Sequence, residues 1–277
     1  MTTILPLQSI PDICEVIALE QEIWGESTPD DAVGVPLLVA SLKRGAVLLG
    51  AFEEGRLIGF VYSFPGLKDG RPMHWSHMLG VRPARRASGV GRALKLEQRR
   101  RCLAMGIDLM EWTFDPLVTI NAHLNFRRLG VVVEEFVPDV YGDSASPLHR
   151  GAPTDRFIAQ WWMASPRVES LIAGGDGLPG ETPWRDLPCV TGVALRDGWL
   201  TCTSTDLARR DPAITVAVPA RFTDMLAERP GEARAWRMLT RDVFQSYLSR
   251  GYRAADFACA RGADRGLYLL EAGAGRP

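Results

Sequence analysis

Apolar residues recur near helical spacing at Ile10, Ile13, Cys14, Ile17 and Trp24, with Ser9 at the position of a cap. This predicts a first helix over about 9–24 and a second, shorter one over 36–43. The period then shortens. Residues 46–52 and 56–64 read as two strands joined at Glu53-Glu54-Gly55, a short hairpin. Pro65, Gly66, Gly70 and Pro72 predict a loop, and 75–81 a further strand. A helix follows over about 89–105 and ends at Gly106, with Glu97 and Arg101 four residues apart. Then come a strand at 107–114, a short helix at 121–129 stopped by Gly130, and strands at 131–136 and 156–162.

Between the strand at 75–81 and the helix over 89–105 lies the most informative stretch. Residues 81–94 read Val-Arg-Pro-Ala-Arg-Arg-Ala-Ser-Gly-Val-Gly-Arg-Ala-Leu. A strand enters it, Arg85 and Arg86 precede Gly89 and Gly91, and a helix leaves it. Backbone N–H groups at a helix N-terminus, freed by glycine, form a cradle for phosphate. Gly at both positions is expected to permit positive φ and close approach of a ligand. The dinucleotide fingerprint needs G-x-G-x-x-G, and the P-loop needs Gly-Lys-Ser/Thr; Arg92 stands after the second Gly, so neither fits.

The run Arg86-Ala87-Ser88-Gly89-Val90-Gly91 resembles the Arg/Gln-x-x-Gly-x-Gly/Ala signature of the GCN5-related N-acetyltransferases, the GNAT superfamily. The element order over residues 1–163 is similar to that family's, with 2–5 supplying a first strand. A second family motif, Asn-x-x-Ala-x-x-Leu/Phe-Tyr-x-x-x-Gly, falls in register with Ala122, Phe126 and Gly130. Thr119 replaces its Asn and Phe126 its Tyr.

The resemblance implies an α+β fold: a central mixed sheet flanked by helices. It implies acetyl-CoA or another acyl-CoA, such as succinyl-CoA, as co-substrate, with no metal. The pantetheine arm would insert between splayed parallel strands and pair with the backbone of Leu79 and Val81. The pyrophosphate would sit on Arg86, Ala87, Ser88, Gly89, Val90, Gly91 and Arg92, with Asn125 and Phe126 completing the cofactor side. Arg86 and Lys95 are candidates for charge-assisted contacts to phosphate, although Lys95, Arg99 and Arg100 also fit a solvated helix face.

The implied reaction is direct acyl transfer to the amine of a small molecule, such as an amino acid. His77, four residues before Val81, stands where some members place a base, and Glu111 is its rival. Many members protonate the departing thiolate with a Tyr at position 126. Phe126 cannot, which leaves Tyr141, His123, Asn125 or water. Asp115 could hold a cationic acceptor or cap the following turn. A second reading is a catalytically silent CoA-binding sensor or assembly module.

Composition narrows the classes. The chain has 277 residues, 46% hydrophobic and 23% charged, with a net charge of −1, which points away from a general nucleic-acid binder. Five scattered cysteines without a C-x-x-C pair predict reduced thiols and a cytoplasmic protein. No signal peptide or membrane span is expected. The expected partner is the amine substrate, with no nucleic acid and no membrane, and with room for a homodimer.

The Gly- and Pro-rich stretch 164–183 predicts a linker, leaving 184–277 as a smaller C-terminal subdomain. Strands are predicted at 199–203 and 213–219, an amphipathic helix at 232–250, and strands at 252–259 and 266–271. Ser246–Tyr252 before Phe257 echoes Asn125–Val131 before Phe136, so the tail reads as a degenerate copy of half the first domain. It lacks the Arg-x-x-Gly-x-Gly run.

Overall fold

Local signals became local structure in the computed structural model, which describes residues 2–25, 33–142, 152–174 and 182–273. The fold is mixed α and β, in two compact units that divide between Trp112 and Thr113.

In the first unit, β1 (Thr3–Pro6), β2 (Val47–Glu53), β3 (Arg56–Lys68), β4 (Arg71–Val81) and β5 (Leu109–Phe114, which crosses the division) follow in sheet order. All neighbours are antiparallel except β4 and β5. Helix α1 (Ile10–Trp24) starts at Ser9, whose side chain and that of Asp12 form a capping box. With α2 (Val35–Leu42) it covers one face of the sheet, burying Ile13, Val16, Leu19 and Leu38 against Phe60, Tyr62 and Met78. Helix α3 (Val90–Ala104) packs on β2, β3 and β4, and Lys95 and Gln98 reach Ser76 from it.

Glu54-Gly55 and Asp69-Gly70 both take positive φ, as tight hairpin turns with the sheet's twist require. The second hairpin is longer than the sequence predicts. Pro65 and Gly66 lie inside β3, not in a loop, paired with His74 and Met73. Pairing with β2 starts only at Ser63, so Pro65 lies on a free edge where its missing N–H removes no ladder bond.

In the second unit the order is β7 (Arg156–Trp162), β6 (Val132–Val137), β11 (Tyr252–Ala258), β12 (Arg265–Ala272), β10 (Ala213–Pro219). β6 pairs antiparallel with β7, β11 with β12, and β6 with β11 at Val133 and Ala254. The chain order β10, helix, β11, β12 repeats β5, helix, β6, β7. The helices are α4 (Thr119–His123), continued by a π-helical turn Leu124–Leu129, and α7 (Pro230–Leu248). Each is followed by a left-handed Gly, Gly130 or Gly251. The echo in the sequence is therefore an echo in topology.

Three elements were not read from the sequence: α5 (Pro166–Ala173), β8 (Thr191–Arg196), which pairs with β9 (Trp199–Thr205), and α6 (Phe222–Glu228). Helix α5 occupies part of the expected linker 164–183, and 175–181 lie outside the described residues. All five cysteines are free. Among the described residues no helix is long and apolar enough to cross a membrane.

Candidate functional site

Strand β4 carries the site. Its parallel ladder with β5 consists of two pairs, His74 with Met110 and Trp75 with Glu111. Beyond Trp75, β4 runs on to Val81 beside β3 alone among the described residues of the first unit. The N–H of Arg82 donates to the carbonyl of Ile58 at 2.9 Å, which fixes the alternation. Met78 and Gly80 turn their backbone groups to β3, while Leu79 and Val81 turn theirs away, toward the open side. The two strands thus form a fork, along one arm of which the backbone groups of Leu79 and Val81 face away from β3.

The fork leads into the glycine loop. Pro83–Arg85 makes one 3-10 turn, Ala87 takes φ 60 and Gly89 φ 88, and α3 begins at Val90. Residues 83–89 are exposed. The first α3 bond from outside the helix is Ala93 N–H to Gly89 O at 3.0 Å, so the amides before it point out of the helix end. The expectation for Gly91 needs correction. It sits inside α3 with ordinary helical φ, and a Cβ there would meet only Leu79 and Val81 at 3.9 Å. Its bare Cα leaves clearance above the helix end. Val90 is buried, packed toward Gly59, and Arg92 is half-buried. Ser88 donates to the carbonyl of Arg85 at 2.6 Å, shaping the loop. Arg85 pairs with Glu53 at 2.5 Å, whereas the exposed Arg86 donates to the Val81 carbonyl at 3.3 Å.

Lys95 overturns both of its expected roles. It is 2% exposed, neither solvated nor in the loop. Its Nζ donates to Ser76 Oγ at 2.9 Å and Gln98 Oε1 at 3.1 Å and lies 3.6 Å from the Trp112 ring centroid. Burial pushes its pKa well below the usual lysine range.

On the opposite face, a bulge places His77 between Ser76, opposite Ser63, and Met78, opposite Tyr62. His77 lines a cavity of about 450 Å³ with Leu37, Ser41, Arg44, Tyr62 and Phe64. Its ring packs on Tyr62 and Phe64 at 6.3 and 6.0 Å while keeping an exposed side, and this partial desolvation lowers its pKa. The Tyr62 hydroxyl lies 2.7 Å from Ser41 Oγ. The sequence reading missed Tyr62 and Ser41, because their approach depends on the packing of α2 over β3. Glu111 is buried and bound to Lys68, so the ammonium already occupies the rival base.

The remaining predicted residues lie in the second unit. Asn125 and Phe126 are 4% and 1% exposed. Phe126 packs on Phe114 and Tyr268, so both are interior residues rather than a ligand surface. Tyr141 is exposed, its hydroxyl 2.9 Å from Thr113 Oγ1. Burial and the neighbouring Arg128 and Arg127 lower the pKa of His123. Asp115 accepts from Leu117 N–H at 2.8 Å, capping the turn, and from Arg237 at 2.7 and 2.5 Å. Arg237 therefore occupies the carboxylate proposed for a cationic acceptor.

No protein-family model matches the sequence, and no curated protein matches it. Among solved structures the chain is similar to one described as an acetyltransferase of the GNAT family from Desulfovibrio desulfuricans. That likeness has 19% identity and TM-score 0.48, and covers 59% of this chain and all of the other. It is also similar to the ribosomal-protein-S18-alanine N-acetyltransferase of Escherichia coli, at 16% identity and TM-score 0.46, covering 60% of this chain and 96% of that one. A Salmonella typhimurium protein described as an acetyltransferase, solved with acetyl-CoA, has 18% identity and TM-score 0.47, covering 60% and 95%.

Proposed function

We propose that this chain is an N-acyltransferase of GNAT type, moving an acetyl or larger acyl group such as succinyl from CoA to the amine of a small molecule. The observation that carries the reading is the fork. Its outward-facing Leu79 and Val81 backbone groups run directly into an exposed loop at the N-terminus of α3. An extended arm with amide groups pairs with such an edge, and a pyrophosphate suits such a helix end.

The acceptor enters the cavity beside His77 on the other face. Its amine nitrogen attacks the thioester carbonyl carbon; the C–N bond forms and the C–S bond breaks. His77, kept neutral at pH 7 by its lowered pKa, takes the amine proton directly or through water. Phe126 has no proton to give, so the thiolate takes one from water. The apolar walls of the cavity suit an amine on a small hydrophobic body.

Equilibrium binding of CoA and acetyl-CoA to the wild type and to Gly89→Val tests the reading. A Cβ on Gly89 meets nothing within 4 Å, but φ 88 strains any L side chain by about 1–2 kcal/mol. CoA affinity is expected to fall at least about tenfold with the fold intact. Unchanged affinity removes the loop assignment. Thiol release with an amine panel then separates a transferase from a silent CoA-binding module, which the replacement at Phe126 favours: tight binding without turnover on any amine selects the module.

A further inference from the structure

We propose that Lys95 is a wedge that sets the opening between β4 and β5, and so positions the pantetheine arm. The ladder between these strands ends at Trp75 and Glu111. The next residue on each arm is Ser76 and Trp112. Lys95 Nζ touches both, donating to Ser76 Oγ at 2.9 Å and lying 3.6 Å from the Trp112 ring centroid. Gln98, one helical turn on, accepts from Nζ at 3.1 Å and from Ser76 at 3.3 Å. Met110 Sδ lies 3.5 Å away on β5. One amine from α3 thus ties the helix to both arms at the point where they part.

Lysine is rarely buried this completely, and an apolar side chain would fill the volume at less desolvation cost. What Met or Leu cannot supply is a set of N–H donors spreading between two strands and a helix. The amine contacts both Ser76 and Trp112, the first residues beyond the ladder, where direct strand pairing would bring the two backbones to about 4.8 Å. Because α3 also carries the glycine loop, the wedge fixes the arm's slot relative to the phosphate end. Lys95 is therefore a positioning residue.

The effect on ligand binding rests on the acyl-CoA reading above; the wedge itself does not. The test compares wild type, Lys95→Met and Ser76→Ala. Hydrogen exchange of amides 76–81 and 109–112 reads the fork without ligand. It is expected to quicken in Lys95→Met while α1, β2 and the second unit stay unchanged. CoA affinity is expected to fall about tenfold, the scale of a buried hydrogen bond or two. Affinity for adenosine 3′,5′-bisphosphate, which lacks the pantetheine arm, should hold. Ser76→Ala, which removes one anchor without emptying the core, should show the same split at smaller size and decides the matter if Lys95→Met does not fold. Equal losses for both ligands, or unchanged exchange across the fork, overturn the wedge. Failure of the wild type to bind CoA removes the acyl-CoA reading instead, and hydrogen exchange still decides the wedge.

Discussion

His74 should make the protein acid-sensitive by an amount that can be worked out. Its side chain is fully buried, Nδ1 lies 2.9 Å from Ser63 Oγ, and Nε2 has no hydrogen-bond partner among the described residues. Burial lowers its pKa from 6.5 to about 4. The folded protein therefore keeps His74 neutral where the unfolded chain protonates it. Stability from this residue is intact above pH 6.5, falls as the pH drops toward 4, and levels off below. At about 1.36 kcal/mol per unit the full loss is about 3 kcal/mol, and at pH 5 it is about 2 kcal/mol. His74→Asn keeps an acceptor near the Ser63 hydroxyl and cannot titrate in this range. The smaller side chain costs packing at every pH alike, so the slope and not the absolute stability is diagnostic. Urea unfolding followed by circular dichroism at pH 7 and pH 5 should show wild type losing about 2 kcal/mol more than the variant. Equal losses in the two proteins refute the reasoning and mean that His74 is solvated or partnered in solution.

His77→Ala should remove the limb of kcat/KM that rises with pH through a pKa below 6.5, slowing turnover most on the plateau above that pKa, where the neutral imidazole acts; an unaltered profile excludes it as the base. Asp115→Asn should cost about 3–5 kcal/mol in urea unfolding, because it strands the 2%-exposed guanidinium of Arg237. A loss below about 1 kcal/mol would show a solvated pair instead.

The glycine loop, the hairpins and the long helices were legible because their signals are local. Gly89 needs its left-handed φ whatever surrounds it, and Ser9 caps its own helix. The site became unreadable where distant segments decide. Lys95 sits among basic neighbours that suggest a wet helix face, yet Ser76 and Trp112 close over it. The bulge at His77 is a matter of register between β3 and β4, which no single strand encodes. The departure at Phe126 was visible in the sequence. That the ring is part of an aromatic core with Phe114 and Tyr268 was not.

The antiparallel junction of β6 and β11 has a consequence for self-association. A chain ending after β7 would leave the outer edge of β6 as a row of open amides and carbonyls, a template for another molecule's strand. Here the chain's own tail, through Ala254 beside Val133, occupies that edge, and β12 and β10 carry the sheet onward. The internal repeat thus stands in for a second subunit. The strand partner that a second copy could offer at this edge is supplied by the same polypeptide.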